Sequence, residues 1–214
     1  MTTSGEIERE RSQPPRLIAC WSCKGPLAEV ALFCHTCGAV QPPGNLDHFA
    51  RLGLSASFDL DLDRLEKQYL GFQRLIHPDR FVGKPAKERM IAESQAVSLN
   101  QAHEILKDPL RRAAYLLEIK GKAASVSKDQ TVNDPKLLME AMEAREKLAE
   151  AQSVEAVEAL QVEAGAQAIH LLSEISMAFA GNDLDAANRL TTRLKYLRKY
   201  LEDTRARRVA LETF

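Results

Sequence analysis

Aromatic residues are scarce in this chain: 6% of 214, with a single tryptophan. Runs of β-branched residues are few as well, and together these shortages exclude an extensive sheet, which draws on both residue types. No apolar run approaches the roughly 20 residues that a membrane-spanning helix needs. Charge of either sign is balanced, at a formal net -1, so there is no global attraction to nucleic acid or to an anionic membrane, and any basic function must be local. Cysteine is missing from all but one stretch. The four present lie between positions 20 and 37, which leaves no framework of bridges and points to a reducing compartment. The first residues carry Glu6, Glu8 and Glu10 among arginines and no apolar segment, a pattern of neither a secretory signal nor a transit peptide.

What is abundant is Ala, Leu, Glu, Lys and Arg in long segments, which predicts a mainly α chain. Residues 1–16 are polar and end near Pro14-Pro15, and are expected to form a disordered lead. Cys20-Trp-Ser-Cys23 and Cys34-His-Thr-Cys37-Gly38 follow, separated by ten residues. Two Cys-x-x-Cys pairs can each bite one ion, and four thiolates complete the tetrahedron that zinc prefers in a closed structural site. A stretch of this length buries no useful core, so metal binding would supply its folding energy. Two disulfides, or one redox-active pair, are the alternatives; neither pair sits in the βαβ setting of a thioredoxin-like site. Residues 17–41 are thus expected to form a four-cysteine domain holding structural Zn²⁺ on Cys20, Cys23, Cys34 and Cys37. His35 is expected to be an exposed knuckle residue. Trp21, Lys24 and Phe33 are too few to make a basic, aromatic nucleic-acid patch.

Gln41-Pro42-Pro43-Gly44 reads as a stiff linker. Asn45 is expected to cap a short helix carrying Phe49, Leu52 and Leu54. Leu62, Leu65, Tyr69, Phe72 and Ile76 recur at steps of three and four, forming one apolar helix face. Arg64, Lys67 and Arg74 make a basic stripe on another face. Pro78 stops the helix, because it lacks a backbone donor and pushes His77 out of helical geometry. His77-Pro78-Asp79 is therefore presented at a helix end, opening a short loop. A second helix over Lys84 to Asp108 carries Ala92, Ala96, Leu99, Ala102 and Leu106 on one face.

Cap signals then repeat: Asp108-Pro109, Asp134-Pro135, Ser153 and Asp183 each precede a helical segment, while Gly121 and Gly181 close two of them. Residues 122–133 read as a loop. The last three segments, to about Arg208, predict an antiparallel three-helix bundle.

Two antiparallel amphipathic helices joined by His-Pro-Asp, the second ending in Asn100-Gln101-Ala102-His103-Glu104-Ile105-Leu106, resemble the J domain of DnaJ-type co-chaperones. Arg111-Arg112-Ala113-Ala114-Tyr115-Leu116-Leu117, Thr131-Val132-Asn133-Asp134 and Leu138-Met139-Glu140-Ala141-Met142-Glu143-Ala144-Arg145-Glu146 narrow the resemblance to the HscB family of iron–sulfur cluster assembly, in its longer form with an N-terminal metal domain. The resemblance implies a small zinc knuckle, a J-domain hairpin with connecting helix over 45–120, and a scaffold-binding bundle over 134–210. It implies an activator of a partner and no enzyme. His77, Pro78, Asp79, Arg64, Lys67 and Arg74 would engage a DnaK/HscA-type ATPase. Leu138, Met139, Met142, Glu143, Glu146, Glu150 and Tyr196 would hold the scaffold IscU. Nucleic acid and membrane are not expected partners, and without a transit peptide the bacterial cytoplasm is the expected location. The competing readings are a J-domain protein with another client, a zinc-ribbon nucleic-acid adaptor, and a hydrolase using His77 with Asp79. The last lacks a nucleophile and a phosphate-binding loop.

Overall fold

The computed structural model describes residues 16–122 and 134–213. The expected lead before residue 16, and all but the first residue of the expected loop 122–133, lie outside them. Among the described residues are two short strands, β1 (Leu17–Ala19) and β2 (Pro26–Ala28). Seven α-helices follow: α1 (His48–Arg51), α2 (Leu62–Ile76), α3 (Ala86–Lys107), α4 (Pro109–Ile119), α5 (Pro135–Glu150), α6 (Val154–Ala180) and α7 (Leu184–Glu212). The chain is mainly α, as its composition predicts. No helix among the described residues is long and apolar enough to cross a membrane.

The chain divides into two units, residues 1–46 with 71–100, and residues 47–70 with 101–214. In the first, β1 and β2 pair antiparallel with Leu17 opposite Ala28, and Leu27 is buried with Cys20 and Cys34. The end of α2 meets α3 in antiparallel order: Gln73 hydrogen-bonds Asn100, and Ile76 faces Ala92 and Ala96. Buried Val40, Phe81 and Ala92 form a second small core.

In the second unit the start of α2 runs against the end of α3. Leu65 and Leu106 are buried, and the Tyr69 ring stacks on His103 at 4.0 Å. Leu62, expected on the apolar face, is instead 49% exposed, because it opens the helix one turn short of that packing. α1 is also shorter than expected. Its cap is Asp47, whose carboxylate accepts from Ala50 N at 2.8 Å, and not Asn45. Leu52 and Leu54 lie beyond its end, yet both are buried.

The remaining caps fall on the residues that signal them. Asp134, Ser153 and Asp183 each accept from the amide three residues on, and Gly121 turns at φ +77° after α4. α7 is the hub of this unit, packing on α4, α5 and α6. Leu117 of α4 is buried with Ala178 and Ala187, while Leu148, Ala151 and Val157 close the far end.

Asp108 ties α4 to α7. Its carboxylate accepts from Arg111 N at 2.9 Å, and both oxygens accept from Arg198 Nη1 at 2.7 Å. Burial pushes this carboxyl up, but the Arg198 and Arg111 hydrogen bonds outweigh it and hold it below its usual range. Since the folded value lies below the unfolded one, the group stabilises the fold at neutral pH and loses that contribution as pH falls from about 4 toward the folded value. Asp108→Ala is expected to lower the unfolding free energy by about 2 kcal/mol at pH 7, combining a lost cap and a lost charged hydrogen bond. Urea unfolding should show this deficit shrinking in acid.

Candidate metal centre and docking surfaces

The four cysteines converge: their sulfurs all lie within 4.8 Å of one another. Cys20 and Cys37 sulfurs are 3.7 Å apart, as are those of Cys23 and Cys34. A disulfide would need about 2.05 Å. A tetrahedron with bonds of about 2.3 Å has edges of about 3.8 Å, so these two spacings fit thiolates placed to share one ion. Both knuckles close by the same backbone bond, Lys24 N to Cys20 O at 3.0 Å and Gly38 N to Cys34 O at 2.8 Å. Both residues after the second Cys turn left-handed, Gly38 at φ +71° and Lys24 at φ +65°. Glycine does this freely, whereas Lys24 adopts it at a steric cost.

Electrostatics also call for a cation. Burial would raise the Cys20 thiol, but the amides of Cys23 and Ser22, with the Cys37 and Gln41 side chains, bring it down to about 6. Cys23 moves the opposite way, to about 11: the Gly25 amide favours its thiolate, but burial and its three sulfur neighbours oppose it. Four thiolates this close cannot all ionise without a positive charge between them. His35 is exposed, as expected for a residue outside the ligand set.

His77 ends α2 at φ -54°, ψ 134° and begins a 3-10 turn, Pro78–Phe81, where a plain loop was expected. Pro78 enters at the first position and Arg80 N bonds His77 O at 2.9 Å. The His77 and Asp79 side chains are exposed, with Nδ1 3.4 Å from Oδ2. Beside them runs a groove of about 280 Å³ lined by Ile76, Pro78, Phe81, Arg89 and Met90, with Met90 68% exposed. Arg74 is exposed in this unit; Arg64 and Lys67 are exposed in the other unit's part of α2.

On α5, Leu137 and Leu148 turn inward, whereas Leu138, Met139 and Met142 are 39%, 64% and 62% exposed. Glu143, Glu146 and Glu150 are exposed too. Glu143 and half-buried Tyr196 of α7 line a common groove of about 240 Å³ that also takes in Leu160, Arg145 and Tyr200. The other five residues of the expected scaffold set do not line it.

Residues 133–205 match the family model described as the HSCB C-terminal oligomerisation domain. The human iron–sulfur cluster co-chaperone protein HscB is 32% identical over 196 residues, covering 90% of this chain and 83% of that protein. The chain belongs to the HscB family. It is thus a co-chaperone of iron–sulfur cluster assembly by family. The HscB homologue of Aeromonas salmonicida is 36% identical over 163 residues, 74% of this chain and 94% of that one. The crystal structure of human HscB superposes with a TM-score of 0.83 at 31% identity, covering 91% of this chain and all of that one.

Sequence reasoning missed the residues that carry the cysteine knuckle onto α3. Gln95, buried on α3, donates to Gln41 O at 2.8 Å; Trp21 donates to Val40 O at 2.7 Å and lies under Lys87, whose Nζ is 4.4 Å from the ring centroid. The contact of buried His103, through Nε2, with Oε2 of exposed Glu66 at 2.7 Å was missed as well. A signal existed: Gln95 and His103 occupy positions of the helix period that the apolar face 92–99–102–106 demands, and a polar residue there needs a partner.

Proposed function

We propose that this HscB-family chain is an activator with two docking surfaces and no catalytic centre of its own. His77, Pro78 and Asp79, with the cations Arg64, Lys67 and Arg74, stimulate ATP hydrolysis by a DnaK/HscA-type chaperone. Leu138, Met139, Met142, Glu143, Glu146, Glu150 and Tyr196 hold an IscU-type scaffold and bring it to that chaperone. On this reading residues 17–41 form the metal domain, 45–120 the chaperone-facing domain and 134–210 the scaffold-facing one.

The observation that carries the reading is the presentation of the tripeptide. Helix α2 stops at Ile76, and the tripeptide follows in a single hydrogen-bonded turn whose His77 and Asp79 side chains are exposed to a partner. Exposed, unenclosed groups suit binding and not proton transfer, since general acid–base catalysis needs a substrate held within about 3 Å in a pocket. The tripeptide's role is then to reposition groups in the partner and lower the partner's barrier. The α5 surface supports the second role: three large apolar side chains outside the core, flanked by carboxylates, form a patch suited to protein recognition.

The ion is Zn²⁺, held by Cys20, Cys23, Cys34 and Cys37 in a structural, closed shell. It serves folding and supplies no reaction step. Thiolates kept available for it call for a reducing compartment such as the bacterial cytoplasm. Mass-spectrometric metal analysis should find one zinc per chain, lost in Cys34→Ser; stoichiometric iron instead would contradict the assignment.

The test of the activator role is steady-state ATP hydrolysis by a DnaK/HscA-type chaperone as this chain is titrated in. Saturable stimulation of several-fold is expected. A flat titration with every such chaperone would overturn the reading.

A further inference from the structure

The four-cysteine knuckle and the tripeptide turn belong to one packed unit. Val40, three residues past Cys37, is fully buried against Phe81 and Ala92, with Phe33 and Ile91 packed around them. Phe81 is the last residue of the turn that contains Pro78 and Asp79. Gln41 makes a second connection. Its side-chain nitrogen sits 3.4 Å from Cys20 Sγ and donates to Ala39 O at 2.7 Å. Its backbone oxygen accepts from the buried Gln95 at 2.8 Å. Trp21, inside the first Cys-x-x-Cys, makes a third through Val40 O and the Lys87 ammonium.

These contacts reach from the ligand sulfurs to the turn in two or three steps. The knuckle has too little core to hold its shape unaided, and without a cation its thiolates repel. A single 3-10 turn is weak on its own and relies on packing at its end. Phe81 supplies that packing, and its partners Val40 and Phe33 lie on the second knuckle's hairpin, where they bridge to each other.

We infer that the ion held by Cys20, Cys23, Cys34 and Cys37 acts as a latch on the His77-Pro78-Asp79 turn, with Val40, Gln41 and Trp21 as its positioning residues. Ion loss releases Phe81 and Gln95, and the turn then visits its binding geometry only part of the time. This rests on the reading that the turn engages a chaperone ATPase. If the competent fraction falls to about one tenth, the concentration for half-maximal stimulation rises about tenfold while the maximal rate is kept.

The test compares the full chain loaded with zinc and stripped by a chelator, using hydrogen exchange, with emission of the single tryptophan reporting occupancy. Faster exchange is expected over residues 77–96 as well as 16–41, with α5, α6 and α7 unchanged. The half-maximal concentration should rise about tenfold at an unchanged maximum. Val40→Ala, which keeps all four cysteines, should retain its zinc and still reproduce both changes. Identical exchange over 77–96 in the two forms would overturn the latch. So would faster exchange throughout the bundle, which would make the ion a general stabiliser. An absence of stimulation by the loaded chain would instead overturn the activator role, because the exchange comparison contains no chaperone.

Discussion

His77→Ala is expected to reduce stimulation of the chaperone ATPase to its background rate while leaving the chain folded. The imidazole is exposed, and its one backbone contact, Asp79 N to Nδ1 at 3.4 Å, is long and near the limit of a hydrogen bond. Surface substitutions of this kind change stability by within about 0.5 kcal/mol. The turn itself is held by other groups: Arg80 N to His77 O, the fixed φ of Pro78, and buried Phe81. Loss of stimulation at an unchanged thermal midpoint would therefore place the effect at the partner. Undiminished stimulation would remove the tripeptide from the account. Phe81→Ala should behave differently, lowering stability by about 3 kcal/mol through the emptied core site.

The second large effect is expected on α5. Leu138→Ala combined with Met142→Ala should weaken binding of an IscU-type scaffold by about a hundredfold, read by isothermal titration. Removing two interface anchors of this size costs on the order of 3 kcal/mol, and each 1.4 kcal/mol is a factor of ten. The same double variant should unfold close to the parent's urea midpoint, because both side chains already face solvent. A collapse of stability with scaffold binding intact would mean that these residues support the bundle. Leu137→Ala is the internal contrast: one position earlier but only 7% exposed, it should destabilise the fold and spare the interface.

Much of the fold was legible because the chain punctuates its helices. Asp108-Pro109 and Asp134-Pro135 join a capping carboxylate to a residue suited only to a first helical position, and each helix starts where those pairs stand. The metal site was equally legible, since two Cys-x-x-Cys pairs leave little freedom in how the sulfurs meet. Local chemistry did not reveal what α1 or Leu62 would do. The expected cap of α1, Asn45, stands two residues before the observed one, Asp47, and the start of α1 is also held by a tertiary bond, with His48 N donating to Tyr115 OH at 3.0 Å. The seam around Val40, Gln41 and Gln95 joins segments more than fifty residues apart, and no periodicity in either segment announces the other. The exposure of the apolar row on α5 was unreadable from pattern alone. A Leu/Met row at helical spacing signals a core, and only burial separates Leu138 and Met142 from Leu137 and Leu148.

Coupling of a scaffold to a chaperone by one chain, through two separate surfaces, should be visible in steady-state ATP hydrolysis of an HscA- or DnaK-type chaperone with this chain and an IscU-type scaffold, added singly and together. The two together are expected to exceed the sum of their separate effects. That excess should disappear both with His77→Ala and with the Leu138→Ala, Met142→Ala pair. Effects that merely add, or an excess that survives either variant, would contradict such coupling.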